Sequence, residues 1–487
     1  MLINISNLTF CYDGSYDDIF KNLSISIDTD WRIGLVGRNG KGKTTLLKLL
    51  MNEYEYSGTI NAPVSFDYFP FNVENKELNT LDVLLQINSQ VYEWEILREF
   101  SFLDLKEEIL YRKFNTLSNG EQTKALLSIL FLRQNGFLLI DEPTNHLDIE
   151  GRKVVAKYLK SKKGFILVSH DREFLDKSVN HILSINKNNV ELQKGNYSSY
   201  EYNKRLVDNF EIKQNDKIKK DIKRLDNSKK NIAIWSDKIE ASKIGNGSVD
   251  RGFIGHKAAK MMKRSKNVEK RIDKYIEEKN SLLKNIDISE DLKIHCLKYY
   301  KDELIKLNNI QIFYDNNEIL SNINFTVNSG DRLFLIGKNG TGKSSLLKII
   351  TGENINYKGN INIGKNLKIS YVPQDVSNLK GSLKEYINKF NINETLFKTI
   401  LRKLDFSRDM FDKNLETYSQ GQKKKVLISK SLAEEAHLYI WDEPLNYIDI
   451  LSREQIENLI LKFKPTIVFI EHDSRFIENV ATKIITI

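Results

Sequence analysis

Gly37-Arg38-Asn39-Gly40-Lys41-Gly42-Lys43-Thr44 carries the pattern G-x4-G-K-T, and it recurs as Gly337-Lys338-Asn339-Gly340-Thr341-Gly342-Lys343-Ser344. The first copy follows a short apolar run, Ile33–Val36, and precedes the apolar stretch Thr45–Leu50. A strand before and a helix after is the context in which such a loop binds phosphate. Glycines let backbone N–H groups face the β- and γ-phosphates, and the helix N-terminus adds its positive end. Lys43 and Lys343 then reach the phosphates, and the Thr44 and Ser344 hydroxyls can hold Mg²⁺. Thr45 and Ser345 follow directly. The expected ligands of both loops are ATP and Mg²⁺.

The loops are one part of a longer repeat. Tyr12 recurs as Tyr314, 302 residues later, and Ser118 as Ser419, 301 later. Glu142 recurs as Glu443, 301 later, and His170 as His472, 302 later. So constant an offset means a duplicated domain. Leu2–Phe10 alternates like an edge strand and leads to Tyr12. Ahead of a phosphate loop, Tyr12 suits a ring stacked on adenine; taken alone it is an ordinary exposed aromatic. Phe137–Ile140 is an apolar strand ending in Asp141 and Glu142, which taken alone would be common solvated carboxylates.

Leu117-Ser118-Asn119-Gly120-Glu121-Gln122 closely resembles the signature sequence of the ABC ATPases. The resemblance gives the carboxylates their roles. Asp141 and Asp442 would join the Mg²⁺ shell, and Glu142 and Glu443 would polarise the attacking water. Asp148 and Asp449 would lie in the contact loop, and His170 and His472 would be the switch histidines. Gln374, after Tyr371-Val372-Pro373, matches the family glutamine that organises metal and water; Phe71 stands there in the first half. The second signature, Tyr418-Ser419-Gln420-Gly421-Gln422-Lys423, keeps the Ser and Gly but departs elsewhere. Such domains pair head to tail, each ATP lying between one phosphate loop and the other signature. Site one would join Lys43, Glu142 and Phe71 to Ser419-Gln420-Gly421. Site two would join Lys343, Gln374 and Glu443 to Ser118-Asn119-Gly120. The irregular residues all fall in site one.

Between the halves, Glu201–Lys284 holds 23 Lys/Arg and 13 Asp/Glu, a net charge of +10, whereas the whole chain carries +9. A near-neutral body therefore carries one basic segment, and a generally Lys-rich codon bias explains this poorly. Positions 218, 222, 225, 229, 232, 236 and 239, and again 261, 265, 268, 272, 275, 279, 282 and 286, step by four and three. That is an a/d seam, twice, and it predicts two antiparallel helices in a coiled coil. Ala241–His256 contains four glycines and forms the predicted tip. There Arg251, Phe253, Ile254, His256 and Lys257 set two large apolar residues among cationic ones. Phe253 and Ile254 either plug the open coil end or offer a stacking surface to RNA, with the basic helices against phosphates.

Cys11 and Cys296 are the only cysteines in 487 residues, and they have no metal or redox spacing. The Met1 end shows no signal peptide, and no apolar run of membrane-spanning length occurs. Together these predict a cytoplasmic protein without a membrane partner.

Two tandem nucleotide domains around a charged helical linker resemble the ABC-F subfamily across the whole chain. The implied fold is α/β: two P-loop ABC-type domains, 1–197 and 290–487, joined by a helical hairpin over 198–289. The implied partner is the bacterial ribosome, bound at the E site in the ATP form, with the linker directed at the peptidyl-transferase centre. Contacts would be to 23S rRNA and P-site tRNA, made by a monomer whose nucleotide domains pair internally. The interval from position 72 to Thr116 is 45 residues, against 43 for Asp375–Thr417, so there is no inserted arm of the translation-factor type. The tip and the following Lys257-Ala258-Ala259-Lys260 are similar to the Vga/Lsa group, which protects ribosomes from lincosamides, pleuromutilins and streptogramin A. The other readings are a general ABC-F translation factor, the ATP-binding subunit of a drug exporter, and a nucleic-acid repair ATPase with a coiled-coil insert.

Overall fold

In the computed structural model the chain divides into two compact units, Met1–Tyr200 with Ser289–Ile487, and Glu201–Ile288. The structure describes residues 1–12, 18–133, 136–186, 190–241, 260, 263, 266–268, 270–277, 279, 291–314 and 317–487. Arg251, Phe253, Ile254, His256 and Lys257 lie outside the described residues.

The first unit contains one α/β fold twice. In the first copy a sheet runs in the order Ser65–Phe69, Gly136–Asp141, Phe165–Val168, Arg32–Gly37, His181–Ile185, Val190–Lys194. All neighbours pair in parallel except the last two. The second copy runs Ile369–Val372, Leu438–Asp442, Ile467–Ile470, Arg332–Ile336, Lys483–Thr486, parallel throughout. A parallel sheet covered on both faces needs strands that are apolar at every position. Phe165–Val168 and Ile467–Ile470 are buried throughout, as that requires. Register places Leu35 and Asp141 on either side of Val168, so the phosphate-loop strand, the carboxylate strand and the histidine strand end together. Ligands of open α/β sheets bind at such strand ends.

Leu2–Phe10 is not an edge strand. It is the centre of a three-stranded antiparallel sheet, between Phe20–Asp28 and Ser57–Asn61. Glu303–Tyr314 repeats this between Asn317–Asn328 and Tyr357–Ile363. Alternation reports one buried face and one wet face; it carries no information about a free edge.

Each copy adds a helical layer, Thr80–Ile87, Glu93–Phe102 and Asn119–Leu130 in the first, Leu383–Lys389, Glu394–Lys403 and Gln420–Ala433 in the second. Leu84, Ile96, Phe100 and Leu127 share one core, and Ile387, Phe397, Leu401 and Ile428 share its counterpart. The copies also meet. Ile450 joins the core of the first copy, and Ile149 packs against that of the second. Arg172, 3% exposed, pairs with Glu457 at 2.7 Å.

Helix Tyr197–Ala241, which from Glu201 on belongs to the second unit, runs for 45 residues, about 68 Å. Ile218, Ile222 and Leu225 are half-buried, Ile272 is buried, and Lys279 Nζ lies 2.6 Å from Asp221 Oδ2. Val268 and Tyr275, read as seam positions, are exposed, and Ile276 is more covered than Tyr275. A strict 3.5-residue spacing drifts against a 3.6-residue helix, which shifts the covered position by one.

Asp171 shows how tightly the first unit is tied. Buried, it accepts from the Phe174 N–H at 2.9 Å, capping Arg172–Ser178, and from Arg152 Nη1 at 2.8 Å. Asp171→Ala removes the cap and leaves the buried Arg152 guanidinium without its carboxylate. The expected loss is roughly 3–5 kcal/mol, read as a lower urea midpoint of the full chain. An unchanged midpoint would contradict this.

Candidate nucleotide sites

The two phosphate loops are built alike. Gly40 and Gly42 have φ of +75° and +93°, and Gly340 and Gly342 of +82° and +86°, a left-handed backbone that suits glycine. A Cβ on Gly42 would stand 2.6 Å from Ile19 Cγ2. Lys43 Nζ donates to the carbonyls of Gly37 at 2.7 Å and Arg38 at 3.1 Å, and to Asn39 Oδ1 at 3.3 Å. Lys343 Nζ donates to the carbonyls of Gly337 at 2.8 Å and Lys338 at 2.6 Å. Burial lowers the pKa of both ammonium groups, against the pull of nearby carboxylates. Each lysine is folded onto its own loop.

The strand-end carboxylates differ between copies. Asp141 Oδ2 accepts from the Thr44 hydroxyl at 2.9 Å and the Tyr68 hydroxyl at 3.0 Å, while burial pushes its pKa up. Asp442 is fully buried, and neither oxygen has a hydrogen-bond partner of ordinary geometry among the described residues; nor has the Tyr371 hydroxyl. Burial and the adjacent Glu443 push Asp442 up to about 6.

Glu142 and Glu443 both adopt positive φ, +51° and +46°. Non-glycine residues held there are strained, and such strain gathers at functional sites. The imidazole Nε2 of His170 lies 3.4 Å from Glu142 Oε1, and that of His472 3.7 Å from Glu443 Oε1. Burial keeps His170 neutral, its pKa well below the usual value. The glutamates then part ways. Burial and Asp141 push Glu142 up to about 8. Burial acts on Glu443 too, but the nearby His472 imidazole and Gln374 amide outweigh it and hold Glu443 below its usual value. Asn446 Nδ2 adds a bond of 2.6 Å. Phe71, at the position of Gln374, offers the first copy no such amide.

Both signatures are helix starts closed by a capping box. The Ser118 hydroxyl accepts from the Glu121 N–H at 3.2 Å, and Glu121 returns a bond to the Ser118 N–H at 2.8 Å. Ser419 and Gln422 repeat this at 3.3 and 2.9 Å, so glutamine replaces the glutamate without loss of the cap. The Gln420 helix faces the first phosphate loop. A Cβ on Gly421 would lie 3.1 Å from Asn39 Nδ2, which itself donates to the Tyr447 carbonyl at 3.0 Å. Arg38 pairs with Asp405 at 3.3 Å. On the other side Lys338 lies 4.0 Å from Glu150, and Asp148 acts electrostatically on Lys343. Asp148 and Asp449 cap the helices that follow them, and Asp449 also pairs with Lys425 at 2.8 Å.

Tyr12 and Tyr314 are 40% and 42% exposed, each with its hydroxyl on the residue after the loop threonine or serine: Thr45 at 2.7 Å, Ser345 at 3.0 Å. The contacts of Asn39, Asp405, Tyr447 and Tyr68 were not legible in the motifs, since their partners lie far off in sequence. Comparing the repeats position by position would have flagged one more residue, Lys424.

Loops and carboxylates repeated in two copies, with the second signature beside the first phosphate loop, define a tandem nucleotide-hydrolysing pair. Residues 20–145 and 320–446 match the family described as ABC transporter, and the chain belongs to it, as an ATPase of its F group. It is 28% identical to the ribosome protection protein VmlR of Bacillus subtilis (strain 168), over 98% of this chain and 85% of that protein. It is 30% identical to the ATP-binding protein Uup of Buchnera aphidicola subsp. Schizaphis graminum, over 99% of this chain and 80% of that protein. Among solved structures, the complex of archaeal ribosomal stalk protein aP1 with the archaeal ribosome recycling factor aABCE1 is similar, with TM-score 0.61 and 19% identity. It covers 94% of this chain and 83% of that one. At that identity the likeness concerns the fold.

The asymmetry of the glutamates gives a test. Glu443→Gln should lower ATP turnover about 10²-fold or more, and Glu142→Gln by distinctly less. Equal losses in steady-state assays would mean that Phe71 and the altered second signature do not weaken site one.

Proposed function

We propose that this protein binds the ribosomal E site in its ATP form and directs its basic linker at the peptidyl-transferase centre, dislodging lincosamide, pleuromutilin and streptogramin A antibiotics. The similarity to a ribosome protection protein along nearly the whole chain carries this reading. The +10 charge gathered in the linker of a near-neutral protein supports it, since phosphates are the partner such a segment fits. Among the described residues no helix is long and apolar enough to cross a membrane.

The residues present fit Mg²⁺. Among the described residues, neither buried oxygen of Asp442 has a hydrogen-bond partner of ordinary geometry, and Thr44 Oγ1 and Asp141 Oδ2 are already 2.9 Å apart, all hard oxygen donors. Thr44 with Asp141, and Ser344 with Asp442 and Gln374, would hold it. Bound there, Mg²⁺ would offset negative charge on the phosphate oxygens. Lys43 and Lys343 would exchange loop carbonyls for phosphate oxygens, and Tyr12 and Tyr314 would stack on adenine. Ser118-Asn119-Gly120 and Ser419-Gln420-Gly421 would bring helix N-termini to the nucleotide held by the other copy. Glu443, ionised, orients the attacking water together with Gln374 and His472; Glu142 and His170 do so less well. Two bound nucleotides clamp the halves, and hydrolysis loosens them. Arg251, Phe253, Ile254, His256 and Lys257 would form the end of the linker that meets RNA near the drug.

A second reading is a general translation factor, which would bind ribosomal phosphates through the same basic linker. Glu142→Gln with Glu443→Gln tests both. With ATP supplied, the double variant should stay on ribosomes through sedimentation while the wild type dissociates. Retention of the wild type alone would contradict the proposal. Retention of the double variant with no change in drug susceptibility of cells expressing the wild type would leave the translation-factor reading.

A further inference from the structure

Helix Gln420–Ala433 carries a lysine in a place where its counterpart has none. Lys424 is 1% exposed, and the equivalent position 301 residues earlier is Thr123. The Thr123 hydroxyl bonds the Asn119 carbonyl of its own helix at 2.8 Å. The fold therefore stands with a threonine here and does not need a cation. A lysine buried this deeply is retained where it has partners.

Its partners are specific. Lys424 Nζ donates to the Pro373 carbonyl at 2.8 Å and to the Asp442 carbonyl at 3.3 Å. Pro373 immediately precedes Gln374, and Asp442 immediately precedes Glu443. The Gln374 side chain in turn lies near enough to Glu443 to help hold its carboxylate ionised. One ammonium thus ties together the two backbone segments whose next side chains meet. The first copy has Thr123 for the lysine and Phe71 for the glutamine, so the tether and the side chain it aims are absent together. Burial lowers Lys424 to about 8, and Asp442, Glu443, Glu471 and Asp375 favour its charge. Glu471 is also special to this copy, replacing Ser169, and binds the Leu445 N–H at 2.7 Å and the His472 N–H at 3.1 Å.

We infer that Lys424 is a positioning residue of the second nucleotide site, holding the Gln374 segment against the end of the Asp442 strand so that Gln374 meets Glu443. This rests on Gln374 and Glu443 working together on ATP. The test is steady-state ATP hydrolysis by the full chain carrying Gln374→Ala, Lys424→Thr, Lys424→Met, or Gln374→Ala with Lys424→Thr. Threonine is the residue the first copy folds with; methionine keeps the length and apolar stem if threonine leaves a damaging void. Both lysine variants should lower kcat about tenfold or more, with KM for ATP changed less than about twofold. The double variant should be no slower than Gln374→Ala, because the tether acts through that glutamine. Wild-type kcat in both lysine variants, multiplied losses in the double variant, or a kcat loss matching only the loss of folded protein would each overturn the inference. Gln374→Ala at the wild-type rate would instead overturn the reading of the site on which it rests.

Discussion

Each phosphate loop in this protein lies near residues of the other copy of the fold, and the rest of the first unit depends on that. Asn39 donates to the Tyr447 carbonyl, and Arg38 needs Asp405. Arg152 Nη1 bonds the His472 carbonyl at 3.2 Å, and Arg172 is buried against Glu457. Buried Arg172, whose carboxylate Glu457 belongs to the other copy, makes separation costly, because its guanidinium would be left without its counter-charge. A ligand at either loop consequently acts on a surface shared by both, the condition under which binding shifts the pair between two arrangements.

Duplication kept the geometry and let the electrostatics diverge. Both glutamates share strained backbone and a nearby histidine, yet Glu142 is driven toward the neutral form and Glu443 away from it. The difference comes from what faces them. An amide, an asparagine and a buried lysine surround Glu443, whereas Phe71 takes the place of the amide in the first copy. The Tyr68 hydroxyl bonds Asp141, while the Tyr371 hydroxyl makes no such bond to Asp442.

The nucleotide fold was legible in the sequence because its signals are local. Glycine spacing in the loops, apolar runs ending in Asp141-Glu142 and Asp442-Glu443, and the constant repeat offset each depend on a few adjacent residues. The alternation of Leu2–Phe10 does not reveal its central place in the sheet, because alternation describes faces and pairing partners come from elsewhere in the chain. The signature departure at Gln422 leaves the helix cap intact, because glutamine bonds there as glutamate does. Lys424 reads as one of three consecutive surface lysines; only three-dimensional burial against Pro373 and Asp442 distinguishes it from Lys423. Tyr275 shows the same limit in the linker, where a heptad count alone misplaced the covered residue by one.

The account joins an ATP-closed pair of domains to a basic segment that meets ribosomal phosphates. The most direct measurement is the ribosome affinity of the full chain at increasing salt, with a non-hydrolysable ATP analogue and without nucleotide. The account predicts tight binding only with the analogue, and a steep linear fall of log K against log salt as Lys and Arg of the linker give way to counterions. Binding that ignores nucleotide, or an affinity that stays flat as salt rises, would contradict it.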